Sequence, residues 1–411
     1  MSSPPPNYPI PTGLHPIPPS NLDLRPDSAI DQTLLHPLPI SSSSKNIWFF
    51  WHAGYPSLHP YTRRNIRAWH RRLAPHGWVI RVLDLAPNSP LNISNYLDVS
   101  DPQLFPAAFR DGTIGGAYAL QHASDLVRWP LLLRYGGVYA DVGLLQIGDL
   151  DRLWSATVGS AGSRFEVLAY DDGGGVGRGL CNYFLGSGKG NELFARCQRL
   201  LVELWEGRTS TEGMHASPLL KGVPLLEGTF SFEEEEGKAV IGHEEARRML
   251  SDYIVQGQVM TLVMNLVDVE GGWDGPGYVK EHVYGIEFMV GAQLINELTA
   301  WDGGLAFRLM SLEMPREGEG ESEEQKRARE IVETILRKSF GFKLAHGMIL
   351  KAYKHTLGSL WRENEGSDDV VGTYAHWLRY AMVYWTQDEI PSPVEYKGNE
   401  PYKIGPMLRE E

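Results

Sequence analysis

The sequence predicts an α/β fold, on three observations. Residues 46–51, Asn46-Ile47-Trp48-Phe49-Phe50-Trp51, form a continuous apolar run closed by His52-Ala53-Gly54. A short, aromatic, glycine-bounded run of this kind is the pattern of a buried strand. A helix-length segment separates it from a second apolar run at 78–83. Strand, helix, strand with a crossover of that length makes the two strands parallel, a Rossmann-like start. A long amphipathic stretch at 116–135 is then stopped by Gly136-Gly137 and followed by a short strand that ends on Asp141. A left-handed turn after a helix favours glycine, so the diglycine marks the helix end. Strand patterns concentrate in the first half and helical patterns in the second. The expected architecture is one α/β core with a helical C-terminal extension.

Along the chain, residues 1–44 hold many of the 27 prolines and end in Ser41-Ser42-Ser43-Ser44. That composition buries too little apolar surface to offset ordering entropy, which predicts an arm or linker. Residues 60–73 read as a helix, with Ile66, Trp69 and Leu73 at spacings of three and four and Arg63, Arg64, Arg67, Arg71 and Arg72 between them. In 116–135 the apolar face is Leu120, Ala123, Val127 and Leu131, with Pro130 placed to kink the helix. Residues 138–141, 167–170 and 182–186 read as strands and 191–205 as an amphipathic helix. Beyond about residue 208 the pattern blurs. The acidic stretches 232–236 and 317–324 are expected as solvated loops, and 327–338 and 372–385 as helices. The chain divides on this reading into an arm (1–44), a ligand-binding core (45–206) and a remainder (207–411) packed with the core as one unit.

Composition narrows the function. Hydrophobic residues are 42% and charged residues 22% of 411, which excludes wholesale disorder. Lys and Arg number 38 against 51 Asp and Glu, a net charge of −13 that argues against a broad nucleic-acid or anionic-membrane surface. No run approaches the ~18 apolar residues of a membrane span. The N-terminus is Pro-rich and polar rather than charged and then apolar, unlike a signal peptide. Two cysteines, Cys181 and Cys197, make neither a disulfide framework nor a four-thiolate zinc site. The expectation is a cytoplasmic protein with reduced thiols.

The densest chemical signal runs from Ala123 to Gly143. A helix carries Asp125 and Arg128 one turn apart, on a shared face. The diglycine then feeds a strand whose carboxyl end bears Asp141. Open α/β sheets bind ligands beyond the carboxyl ends of their strands. A carboxylate there suits a ribose hydroxyl or a magnesium or manganese ion bridging a diphosphate, since those ions prefer hard oxygen ligands.

This segment resembles the sugar-transferase region shared by DXD-type (family 32-like) glycosyltransferases and the capsular polysaccharide synthesis proteins. In both, an Asp-bearing helix, an Arg, Tyr-Gly-Gly and an acidic strand end follow in that order. Ile47 to His52 resembles the family's first strand, 65–69 and 78–84 the helix and strand after it, and 182–191 the downstream strand and turn. The resemblance spans about residues 45–206. It implies a GT-A-like fold and transfer of a sugar from a nucleotide-diphosphate donor, UDP-linked, to a hydroxyl of a small-molecule or glycan acceptor. It assigns Asp125, Asp141 and Arg128 to catalysis, and Trp51, His52, Gly136, Gly137, Tyr139, Asn182 and Lys189 to donor binding. Asp141 would hold the divalent cation. The Asp-x-Asp pattern, however, reads Asp141-Val142-Gly143 here, without its second carboxylate. That departure fits the capsular branch better. It leaves two options: one carboxylate with diphosphate oxygens and waters around a metal, or Arg128 or Lys189 neutralising the diphosphate without one.

Other motifs fail. Gly188-Lys189 lacks the P-loop glycine five residues earlier, where Tyr183 stands, and the following Ser or Thr, where Gly190 stands. The glycines of 171–177 lack the dinucleotide spacing, and there is no nucleophile elbow, HExxH or Cys/His zinc spacing. Bland readings stand beside the functional ones: Gly136 and Gly137 for chain reversal, and Trp51 and His52 for packing. Two alternatives remain open, because fold does not fix chemistry. One is another group transfer of specialised metabolism, such as aminoacyl-tRNA-dependent peptide (cyclodipeptide) formation. It needs a local basic patch, for which the five arginines of 60–73 are the candidates. The other is a non-catalytic nucleotide-binding protein.

Overall fold

In the computed structural model, the apolar run that opens the folded sequence is the strand Lys45–Phe50 (β1) of a six-stranded central sheet. The other strands are Trp78–Leu83 (β2), Gly137–Ala140 (β3), Val167–Asp171 (β4), Leu180–Ser187 (β5) and Val283–Ile286 (β6). The structure describes residues 7–41, 44–173, 179–226, 228, 231–233, 240–316, 318–396 and 400–409. The spatial order is β6-β4-β5-β3-β1-β2. β1 is parallel to β2 and β3, and β6 to β4, while β5 runs antiparallel to β3 and β4. Ile47, Trp48 and Phe49 are wholly buried, as a strand covered on both faces requires.

Seven helices position the site or the surfaces around it: Asp27–Leu35 (α1), Pro60–Leu73 (α2), Ala119–Tyr135 (α3), Glu192–Leu204 (α4), Val255–Met264 (α5), Glu323–Lys338 (α6) and Tyr374–Tyr384 (α7). α2 and β2 have the bounds that periodicity predicts. α3 starts three residues later than expected, and Leu120 is exposed, while Ala123, Val127 and Leu131 are buried. Pro130 is buried within α3. Asn191 caps α4 by accepting the Phe194 N–H at 3.2 Å. α6 begins four residues before the expected point, because Ser322 and Gln325 form a reciprocal capping box.

Three expectations change. Residues 7–41 are not a linker. Ile30 and Leu34 of α1 are buried, residues 14–16 pair with 385–387, and the Tyr8 hydroxyl lies 2.6 Å from His376 Nδ1. The arm orders because it packs on an existing surface and needs no core of its own. The sheet is also not complete within 45–206. Its edge strand β6 comes from the second half, and the strand Gly341–Lys343 pairs antiparallel with Leu144–Gln146. Finally, the acidic stretches are only partly loops. Phe232 is buried in a two-residue strand, and Glu323 and Glu324 open α6. Residues 234–236 and 317, like Ser42, Ser43 and the glycines 174–177, lie outside the described residues. No helix among the described residues is long and apolar enough to cross a membrane.

Candidate active site

Helix α3 aims Asp125 and Arg128 at the carboxyl end of β3, where Asp141 begins the next loop. One Arg128 nitrogen, Nη2, lies 3.0 Å from Asp125 Oδ1 and 3.1 Å from Asp141 Oδ1. Two carboxylates therefore converge on one guanidinium. Its other terminal nitrogen donates to the Asn182 carbonyl at 2.7 Å and to Gln256 Oε1 at 3.3 Å. Asn182 Nδ2 donates to Asp125 Oδ1 and to Gln256 Oε1, each at 3.1 Å. Gln256 of α5 is fully buried and donates from Nε2 to the Asp125 backbone carbonyl at 2.8 Å. The floor is Tyr139, wholly buried, with Arg128 stacked 4.9 Å above its ring and its hydroxyl 2.8 Å from Ser124 Oγ.

Asp141 has a second cation. Lys343 Nζ lies 2.6 Å from Asp141 Oδ2, delivered by the strand that pairs with Leu144–Gln146. The loop between is pinned by Asn65 of α2, whose Nδ2 donates to the Val142 and Leu144 carbonyls, both at 2.8 Å. A Cβ built on Gly143 would lie 4.0 Å from Lys343 Nζ. The ammonium thus stands next to the position that carries the second carboxylate in an Asp-x-Asp pattern.

The charges are fixed by this geometry. Burial opposes the charge on Arg128, but Asp141, Tyr139 and Asp125 outweigh it and hold its pKa above the ordinary value. Burial likewise favours a neutral Asp141, yet Lys343 and Arg128 bring its pKa below the usual range. Both side chains are ionised at neutral pH. His346, three residues after Lys343, is pushed down to about 3 by burial and then by Lys343, Arg362 and His59, so it is neutral. Its Nε2 lies 2.9 Å from the Tyr61 hydroxyl, which burial raises to about 12.

Among the residues singled out in the sequence, Asp125, Arg128, Asp141 and Asn182 come together. Trp51 and His52 follow β1 at the same sheet edge. A chain of rings runs from Trp51 to His59 (6.4 Å), Tyr61 (6.0 Å) and His346 (6.2 Å). Gly136, Gly137 and Lys189 do not join them. They sit at the opposite end of β3, a strand whose four residues span roughly 13 Å. Gly137 has φ +98°, and a Cβ there would come 2.2 Å from the Asn46 carbonyl oxygen, so its role is close chain packing. Tyr139 supports Arg128 from beneath and presents no surface to a ligand. Lys343, Gln256 and His346 escaped the sequence reading, since each lies more than a hundred residues from the Asp125–Asp141 segment with no local motif.

The arginines of α2 are all engaged within the molecule. Arg63 binds the Pro56 carbonyl (2.7 Å), Arg64 pairs with Asp368, Arg67 with Asp27 and Asp31, and Arg71 with Asp27. Buried Arg72 donates to the Ile147 and Gly148 carbonyls at 2.7 and 3.0 Å. They lock the arm and the C-terminal helices to the core instead of forming a patch for tRNA.

A divalent cation finds a poor set of donors here. Both oxygens of Asp141 are occupied, one by Arg128 and one by Lys343, and Gly143 brings no oxygen. Among the described residues no three His, Cys, Asp or Glu side chains converge as a metal group. Asp141 is the one carboxylate of the pattern that would hold a cation, and it already pairs with Arg128 and Lys343.

Residues 22–212 match the capsular polysaccharide synthesis protein family. The O-glycosyltransferase braB of Annulohypoxylon truncatum is 31% identical over 390 residues, 94% of this chain and 90% of its own. The glycosyltransferase afumC of Aspergillus fumigatus is 32% identical over 349 residues, covering 84% and 86%. The O-glycosyltransferase PaGT of Phomopsis amygdali is 29% identical over 400 residues, covering 96% and 95%. The solved PaToxG glycosyltransferase overlays 39% of this chain and 61% of its own at 14% identity and a TM-score of 0.27, too slight a likeness to bear on the fold. With relatives of this extent and a family match across the segment that builds the cluster, the chain belongs to the capsular polysaccharide synthesis family, as a glycosyltransferase enzyme.

Proposed function

We propose that this enzyme moves a sugar from a uridine diphosphate donor to a hydroxyl of a small-molecule acceptor, on a GT-A-like arrangement of the sheet. One observation carries the reading: Asp125, Arg128, Asp141 and Lys343 form a continuous chain of ion pairs at the carboxyl edge, where α/β sheets bind nucleotides. The names of the relatives, two of them O-glycosyltransferases, support a hydroxyl acceptor. In the reaction the bond from the anomeric carbon to the diphosphate oxygen breaks, and its electron pair leaves with UDP. The acceptor oxygen forms the new bond and its proton is released to the medium. Trp51 and His52 flank the base, Asp125 and Asn182 meet sugar or ribose hydroxyls, and Asp141 fixes the cation that faces the diphosphate. The site's task is electrostatic: it stabilises the charge that grows on the leaving group.

The test is a UDP-release assay over several UDP-sugars with a panel of small hydroxylated acceptors. Acceptor-dependent release is expected for at least one donor. Asp141→Asn and Asp125→Asn should each lower it on the order of 100-fold, with thermal stability retained. Release in no combination, or variants as active as the parent, contradicts the reading.

A further inference from the structure

We infer that a side-chain cation of the chain's own second half, Lys343, neutralises the leaving diphosphate in place of a divalent metal ion. The inference rests on the donor reading above and goes beyond it by naming the group that carries the charge.

Two observations converge. The position of the second Asp-x-Asp carboxylate is Gly143, and a side chain there would point its first carbon to within 4.0 Å of Lys343 Nζ. The ammonium therefore stands beside the place that a metal-binding second carboxylate would take. Asp141, the remaining carboxylate, spends both oxygens on Arg128 and Lys343. A metal ion there would add its charge beside an Arg128 guanidinium 3.1 Å and a Lys343 ammonium 2.6 Å from the same carboxylate.

The balance of charge follows. Asp125 and Asp141 are offset by Arg128 and Lys343. An ammonium has three protons, and Asp141 takes one. The others remain for phosphate oxygens. Asp141 thus orients Lys343, as it would otherwise orient a metal. As the anomeric C–O bond breaks, the electron pair moves onto the β-phosphate oxygen, where Lys343 meets the growing charge. The acceptor's proton goes to the medium. A charge-assisted contact that strengthens as charge develops lowers the barrier rather than merely tightening binding.

The experiment has two arms. In the first, wild-type turnover of the UDP-sugar identified above is measured with excess EDTA and with manganese or magnesium. Rates within about twofold of each other are expected. In the second, Lys343→Met and Lys343→Arg are compared for turnover and for calorimetric binding of UDP and of uridine. Lys343→Met should lose on the order of 100-fold in kcat and about tenfold in UDP affinity, with uridine affinity unchanged. Uridine binding certifies that the fold and the base site survive. Lys343→Arg should recover to within about tenfold of wild type. The double variant Lys343→Ala with Gly143→Asp, which restores the second carboxylate, should acquire a requirement for manganese. Wild-type activity that vanishes in EDTA and returns with metal overturns the inference and leaves the donor reading standing. So does a Lys343→Met variant that keeps wild-type kcat and UDP affinity. Absence of wild-type turnover with every UDP-sugar, with and without metal, overturns the donor reading and the inference with it.

Discussion

Arg128 is the residue on which the site is organised. Its side chain is almost fully buried, yet it carries a full charge, because Asp125 and Asp141 both reach one of its nitrogens. An unpaired charge at that depth would cost several kcal/mol, so the two carboxylates and the guanidinium hold one another in place. Asp125 and Arg128 were legible from their one-turn spacing and Asp141 from its place after a strand. Lys343 was not, since Phe340-Gly341-Phe342-Lys343-Leu344 reads only as an apolar stretch with one lysine in it. Lys189, also singled out in the sequence, lies beside Gly136 at the other end of β3, a strand-length from Asp141. His346 gives a titration that belongs to this scale. Its folded pKa, about 3, lies below the ordinary value of about 6.5. The unfolded chain therefore binds a proton that the folded one refuses. The stability this supplies is complete above pH 6.5 and is lost progressively as pH falls toward about 3, with a slope of up to roughly 1.4 kcal/mol per pH unit. His346→Gln, which keeps an oxygen to accept from Tyr61, should flatten urea-unfolding free energy between pH 6.5 and 4.5. An unchanged slope would show that His346 titrates normally.

Among elements, β3 with its flanking turns does most to place the chemistry. Gly136 and Gly137 admit the chain at one end, and Asp141 leaves at the other, held by its N–H donating to the Tyr183 carbonyl at 2.9 Å. The strand is antiparallel to β5, so Asn182, before the middle of β5, returns to the Asp141 end while Lys189 lies at the glycine end. Strand direction is what local patterns could not supply: the apolar runs of β4 and β5 were visible, but not which way they ran. The helices α2 and α4 were legible because their apolar spacing is regular and an asparagine caps the second. α5 was not, being buried on nearly every side with little periodicity. Two alanine substitutions separate packing from function at the glycine end. Gly137→Ala places a Cβ against the Asn46 carbonyl at positive φ and should cost roughly 3 kcal/mol or more in urea denaturation. Gly188→Ala meets nothing within 4 Å and should stay within about 0.5 kcal/mol of the parent. Equal stability of the two would remove the close-packing account of Gly137.

For the molecule as a whole, the charged cluster at the sheet edge is a joint product of both halves. The first supplies Trp51, Asp125, Arg128 and Asp141, and the second supplies Gln256, Lys343 and His346. The edge strand β6 completes the sheet that holds them. Residue 206 falls between parts that share one sheet and one charge cluster. The Pro-rich segment, expected as an arm or linker, packs on the core along residues 7–41. Composition measures whether a segment can fold alone, whereas residues 14–16 borrow the edge of 385–387 and α1 borrows the surface of α2. The most direct measurement of the central claim is a crystal structure with UDP bound. The diphosphate should lie within hydrogen-bonding distance of Lys343 Nζ, with the uracil beside Trp51 and His52. UDP bound at the far end of β3, against Gly136, Gly137 and Lys189, or away from the sheet edge altogether, would contradict the account.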